Sequence, residues 1–276
     1  MPRASKELIS QLIKRSAWIR KETLLIHKTA PETRIASSLS AVEIFVVLYY
    51  GGILRFFPRD PLNIKRDRFL ISKGHGAISL YPILADLGFF DKQELQAVCK
   101  DGTFLGGIPD AVIPGFETIN GSLGHGPGVA CGIALALNRK GRSESVFVLM
   151  GDGELYEGSV WEAIMFAGEH KLDNITLILD NNQICMLDYC NKILNLSPIE
   201  EKFRTFKWDV TTIDGHNVEQ VHHALATLKN ERNGKPKVLI ANTIKGKGVK
   251  SLETDALCHI KTLKPSEIDM IVGELE

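Results

Sequence analysis

No apolar run in this 276-residue chain is long enough to cross a bilayer. The longest, "IFVVLYYGGIL" at residues 44–54, falls well short of the ~18–20 residues that a spanning helix needs. Net charge is lacking as well: Lys+Arg and Asp+Glu number 33 each, which excludes the basic footprint of a nucleic-acid binder and any acidic tail. The five cysteines, Cys99, Cys131, Cys185, Cys190 and Cys258, form no CxxC pair. Their scattered placement points to buried free thiols in a reducing compartment, and so to the cytoplasm. The amino end lacks the apolar core of a signal peptide. No Ser-His-Asp order or nucleophile elbow supports a hydrolase. His216, His222 and His223 make no metal spacing with any cysteine. Internal repeats and low-complexity tracts are also missing.

What is present is a soluble composition, 44% hydrophobic and 24% charged, in which short apolar strands alternate with helices. Residues 6–28 carry helical apolar spacing. "SSLSAVEIFVVLYYGG" predicts a buried helix with Ser40 as N-cap, Glu43 three residues later and Gly51 as the stop. "DRFLISK", "VFVLM", "ITLILD" and "KVLIANT" predict strands. "AISLYPILADLG", "VACGIALALNRKG", residues 158–172 and "NVEQVHHALATLKN" predict helices, the last with Val218, Val221, Leu225 and Leu228 on one face. Residues 101–127, rich in Gly and Pro but with apolar residues interleaved, predict an ordered loop. The fold class is therefore α/β, a parallel sheet with helices on both faces. No boundary divides it, so a single domain is expected over residues 1–276, with 1–6 as a flexible end. Trp161 is expected in the core.

One stretch asks for chemistry. "VFVLMGDGELYEG" ends a strand on Gly151, Asp152 and Gly153. Ligands of open parallel sheets bind just beyond the carboxyl ends of the strands, and the amino end of the following helix favours an anion such as phosphate. A carboxylate there would repel phosphate unless a cation lay between them. Phosphate with a hard divalent ion fits, and Mg2+ takes oxygen ligands and phosphate oxygens together. A right-handed crossover brings the end of "ITLILDNN" alongside, so Asn182 can meet Asp152. Taken alone, Asp152 also reads as a helix N-cap and Asn182 as a turn residue.

This Gly-Asp-Gly, followed about thirty residues later by an asparagine pair, resembles the thiamine-diphosphate signature. "SSLSAVEI", "DRFLISKGHGAISLYPILADLG", "PGFETINGSLGHG", "KLDNITLILDNNQ", "DGHN" and "TIKGKGV" occur in transketolase order and are similar to transketolases over roughly residues 15–260. The resemblance implies a thiamine-diphosphate-binding fold, here the pyrophosphate-binding domain. It implies that Asp152, Asn182 and the main-chain carbonyl of Ile184 hold Mg2+. It places Gly124, Gly151, Gly153 and Glu154 at the cofactor, and His75, His125 and His259 at the reacting centre. A turn histidine, a loop histidine and a loosely aligned one are the plainer alternatives for those three. Glu157 and Glu162 resemble acids that link the two cofactor sites of the family dimer, or lie on a solvated helix face. Lys245 and Lys247 either reach a substrate phosphate or are exposed.

Full-length transketolases also carry a pyrimidine-binding domain and a C-terminal domain. The resemblance thus implies the N-terminal subunit of a split enzyme, paired with a C-terminal subunit in a heterotetramer of two copies each. Residues 44–54 are a candidate source of the apolar surface facing that partner. The implied activity is transfer of a two-carbon ketol unit from a sugar or sugar phosphate to an aldose or related carbonyl acceptor. Acetyl transfer from pyruvate to a sugar, or a non-catalytic cofactor-binding paralogue, are the alternatives. Two departures bear on the donor. "TRIASSLS" has Arg34, and "GIPD" has Ile108, where transketolases usually have histidines.

Overall fold

The computed structural model describes residues 4–274. Helices α1 (Lys6–Thr29), α2 (Ile35–Leu39) and α3 (Val42–Tyr50) precede β1 (Arg68–Ile71) and α4 (Leu80–Leu87). After a long loop come α5 (Gly126–Arg139), β2 (Val146–Gly151), α6 (Gly158–Glu169) and β3 (Ile175–Asn181). The short α7 (Cys190–Ile193) and α8 (Ile199–Thr205) lead to β4 (Asp209–Asp214), α9 (Val218–Asn230) and β5 (Lys237–Asn242), and α10 (Lys250–Glu253) and α11 (Pro265–Glu274) close the order.

The five strands form one parallel sheet in the order β1-β2-β3-β5-β4. Alternation along β2 shows why its sequence is continuously apolar. Phe147 and Leu149 pack with α3 and α4 on one face, whereas Val146, Val148 and Met150 pack with α5 and α6 on the other. A strand covered on both faces has no polar side to show.

The helix expected with Ser40 as N-cap starts one residue later and stops at Gly51 as expected; a separate short helix, α2, precedes it. The N-cap of α3 is Ala41, whose methyl side chain can make no cap bond, while the Ser40 hydroxyl donates to Asp180 Oδ2 at 2.6 Å. The helix expected over 158–172 stops at Glu169. Strand β4 is not among the expected strands; it lies at the sheet edge and is only partly covered. Of the residues expected to be flexible, 1–3 lie outside the described residues, while Ser5 caps α1 by accepting from Leu8 N–H at 3.1 Å. Trp161 is half-buried rather than fully core, and donates to the Leu155 carbonyl at 2.8 Å. Of the cysteines, Cys131 and Cys258 are buried; Cys99, Cys185 and Cys190 are half-buried, and all five are free.

Residues 44–54 are not a source of interface. Ile44 to Leu48 are fully buried against β1 and α9, and Ile53 and Leu54 are buried as well. Exposed large apolar side chains on the loops beyond the strand ends include Ile108, Ile119, Met186 and Leu187. Among the described residues, no helix is long and apolar enough to cross a membrane.

His27 on α1 is fully buried, with Nδ1 2.8 Å from Thr33 Oγ1. Burial lowers it from 6.5 to about 4. The unfolded chain therefore takes up a proton near pH 6.5 that the folded chain refuses until about pH 4. The stability is complete above that upper value and is lost as pH falls through the window. Between pH 7 and 5 His27 should cost about 2 kcal/mol. Urea unfolding at both pH values measures it, and His27→Gln should shrink the acid loss by that amount.

Candidate functional site

Strand β2 runs in register with β3, so that Gly151 pairs with Asp180. Both strands leave the sheet at the same edge. From Gly151 the backbone enters a 3-10 turn, Asp152–Tyr156, and only then α6. The helix amino end is at Gly158, where it was expected, with this turn between it and the end of β2.

Asp152 is 5% exposed. Its Oδ1 accepts the Gly153 N–H at 2.9 Å, and its Oδ2 accepts the Gln183 N–H from the turn after β3. In that same turn Asn182 Oδ1 accepts the Ile184 N–H at 3.2 Å. The Ile184 carbonyl accepts from Lys245 Nζ at 2.7 Å. The three expected metal ligands therefore gather around one turn, although they come from two strand ends. Burial, with the Asp180 charge adding to it, pushes the Asp152 carboxyl up to about 6. Such a group gains from a cation. Among the described residues no set of three His, Cys, Asp or Glu is placed to hold a metal. A cation here would rest on one carboxylate, one amide oxygen and one carbonyl, a hard oxygen set that fits Mg2+.

Beneath this turn lies a buried ion pair with no signature in the sequence. Lys73, from the turn after β1, donates to Asp180 Oδ2 and to Ser40 Oγ, and Thr243 donates to Asp180 Oδ1. Burial alone would raise Asp180, but the Lys73 ammonium and these hydrogen bonds hold it below the usual carboxylate range. The Glu154 oxygens accept from within the protein: Ser72 Oγ donates at 2.5 Å, and the Gly124 and Gly151 N–H groups each donate at 2.9 Å. Burial raises its carboxyl nonetheless. Glu154 is a brace that ties the "GSLGHG" loop to the ends of β1 and β2. Gly124 is required there, since its φ is +81° and a Cβ would lie 2.6 Å from Glu157 Cβ. Gly153 lies against Cys185.

His75 and His259 come together, with ring centroids 5.0 Å apart. Ser37 Oγ lies 3.4 Å from His259 Nδ1. Burial, with Lys73 adding to it, lowers His75 to about 2; burial, with Lys245 and Arg34, lowers His259 to about 3. Both rings are neutral at physiological pH. His125 is not brought to them: it is exposed at the start of α5, with Nδ1 3.1 Å from Ser122 Oγ and 3.2 Å from the Leu123 carbonyl. Glu157 and Glu162 are exposed. Lys245 is 4% exposed, and burial lowers its ammonium. Lys247 is half-buried, 3.7 Å from Glu253. Arg34 heads α2 and is exposed. Ile108 is 49% exposed and packs against Gly74. Three cations, Arg34, Lys73 and Lys245, thus surround two neutral imidazoles beside Asp152, an arrangement suited to a multiply charged anion bridged by a metal.

A family model described as "Transketolase, thiamine diphosphate binding domain" matches residues 28–275. The chain is 35% identical over 268 residues to one of the subunits of the apulose-4-phosphate transketolase of Actinobacillus succinogenes, covering 96% of each chain. It is 37% identical over 243 residues to a 6-deoxy-6-sulfo-D-fructose transketolase subunit of Clostridium sp. strain MSTE9, covering 88% of each. Among solved structures, transketolase from Campylobacter jejuni superposes with a TM-score of 0.89 at 29% identity, over 96% of this chain and 43% of that one.

Proposed function

Given that the chain belongs to the transketolase family, we propose that the cleft beyond β2 and β3 takes the diphosphate of thiamine diphosphate through Mg2+. The chain is an N-terminal subunit of a transketolase-type transferase. The observation that carries the site reading is the convergence of Asp152, Asn182 and the Ile184 carbonyl on one turn, with Lys245 bound to that carbonyl at 2.7 Å.

In this reading Asp152, Asn182 and Ile184 hold the metal, and Lys245 faces the diphosphate. When bound, thiamine diphosphate supplies the carbon that attacks a carbonyl and stores the electron pair. The protein's own residues bind, orient and exclude water. The neutral His75 and His259 are placed to hydrogen-bond a substrate hydroxyl or carbonyl and to pass a proton. Gly124, Gly151 and Gly153 let backbone approach the ligand, and His125 on its exposed loop lies where a partner or substrate can meet it. Relatives whose names make them one subunit of a transketolase support a separate partner that carries the pyrimidine-binding and C-terminal domains, in a heterotetramer of two copies each. Residues 1–276 serve as one pyrophosphate-binding domain. Sugar or sugar-phosphate substrates place the enzyme in carbohydrate metabolism, and five free thiols fit the cytoplasm. Two-carbon transfer between a ketose phosphate and an aldose by the assembled pair tests the reading; turnover independent of Mg2+ and thiamine diphosphate would overturn it.

The donor range is shifted by Arg34 and Ile108. An apolar wall at Ile108 leaves a donor hydroxyl unpaired, which costs about 1–3 kcal/mol, or roughly ten- to a hundred-fold in kcat/KM. The same wall accepts a methyl group, and Arg34 suits a carboxylate or phosphate. Pyruvate and xylulose 5-phosphate should therefore be compared as donors. Ile108→His should raise kcat/KM for the ketose phosphate relative to pyruvate by that factor. A strong preference for the ketose phosphate that Ile108→His leaves unmoved would show that this wall does not set the donor.

A further inference from the structure

Arg20 on α1, Glu43 on α3 and His216 in the turn after β4 meet in the folded chain. The Arg20 guanidinium reaches both oxygens of Glu43 through Nη2, at 2.6 Å and 2.8 Å. Their side chains are nearly buried. His216 Nδ1 lies 3.0 Å from Glu43 Oε2. Its other nitrogen, Nε2, accepts the Ile244 N–H at 2.8 Å. Accepting there leaves Nε2 bare, so the ring proton sits on Nδ1 and is donated to Glu43.

The cluster grips the segment after β5 at two points. His216 holds the backbone at Ile244, and Arg20 Nε donates to the Lys247 carbonyl at 3.1 Å. Between these two anchors stands Lys245. Gly248 makes the second grip possible: its φ is +92°, and a Cβ would lie 2.9 Å from Arg20 Cδ. The loop is also pinned by the Gly246 N–H, which donates to the Ala36 carbonyl at 3.0 Å. A lysine side chain ordinarily samples many rotamers, and ordering it costs up to about 2 kcal/mol. Fixing its backbone on both sides sets where the side chain starts, and its ammonium then donates to the Ile184 carbonyl at 2.7 Å.

We propose that Arg20, Glu43 and His216 are positioning residues that pre-set Lys245 in the cofactor cleft, acting through the backbone of residues 244–247. The proposal rests on the reading that Lys245 faces the diphosphate. It adds that the ion cluster is not only a staple between α1 and α3. A plain staple would affect stability alone.

The test is a double-mutant cycle read by calorimetric titration of thiamine diphosphate with Mg2+ into the chain assembled with its partner subunit. His216→Leu keeps neither hydrogen bond and should weaken the cofactor roughly ten-fold, the equivalent of about one lost hydrogen bond. His216→Gln keeps one donor and one acceptor and should stay near the wild-type affinity. In a Lys245→Met background His216→Leu should add nothing further. If the leucine variant does not fold, His216→Asn, too short to span both partners, takes its place. The proposal falls if His216→Leu lowers Tm while Kd stays unchanged, or if its full effect persists without Lys245. Should Lys245→Met itself leave Kd unchanged, the reading of Lys245 falls, and the proposal with it.

Discussion

Asp152→Ala is expected to abolish thiamine diphosphate binding while the fold survives. Without the carboxylate, Mg2+ keeps only the neutral oxygens of Asn182 and Ile184. Losing even an indirect partner of a metal site costs roughly 10–100-fold in affinity, and a charged ligand costs at least the upper figure. The stability of the cofactor-free chain should move the other way. In the folded chain the Asp152 carboxyl is raised from 3.8 to about 6, so holding it ionised at neutral pH works against folding by about 3 kcal/mol. Alanine relieves that cost and forfeits the two backbone hydrogen bonds from Gly153 and Gln183. The Tm without cofactor should therefore not fall. Calorimetric titration and a thermal scan on the same variant separate the two effects. Cofactor affinity equal to that of the wild type would end the assignment of Asp152.

The second large effect is all or none. The chain alone should show no turnover above background with any donor, and turnover should begin when the partner is supplied. The loops around the cleft are the reason. Ile108, Val112, Ile119, Met186 and Leu187 are exposed large apolar side chains, on loops flanking the Gly-His-Gly turn and the turn after β3. Surfaces of this kind mark interfaces, and a cleft left open to water cannot exclude it from a reactive carbanion. Light scattering and rate measurements, made with and without the partner, decide the matter. A monomer that turns over unaided would sink the idea.

The site's centre is legible in the chain because punctuation marks it. An apolar run stopped by Gly-Asp-Gly, and a second stopped by Asp-Asn-Asn, place two strand ends at one sheet edge. The alternation of strands and helices likewise implies the parallel sheet. Strand β4 escapes because it lies at the edge: Val210, Thr211, Thr212 and Ile213 make no continuous apolar run, although four successive β-branched residues are a usable signal. The cap expected at Ser40 fails for a different reason. Ser40 looks like a local cap, but its hydroxyl serves an aspartate 140 residues away. Glu154, Lys245 and the Lys73–Asp180 pair are long-range pairings of the same kind. Such contacts leave no period in the chain and become visible only once the sheet edge is assembled. His216 has no metal spacing, yet it belongs to an ion cluster, since spacing tests only one kind of partnership.

The buried Lys73–Asp180 pair also constrains how this sequence can diverge. Removing either member leaves the other charged and unpaired under the sheet edge, at a cost of about 3–5 kcal/mol. A change of both to apolar residues of similar volume is tolerable in principle, but each single step towards it passes through a chain that has lost a large share of its stability. Ser40 and Thr243, which share the same carboxylate, narrow the path further. Drift should thus leave these four positions linked: a lineage that alters one must alter its companions nearly at once, while the exposed Arg34 and Ile108 remain free to vary with the substrate.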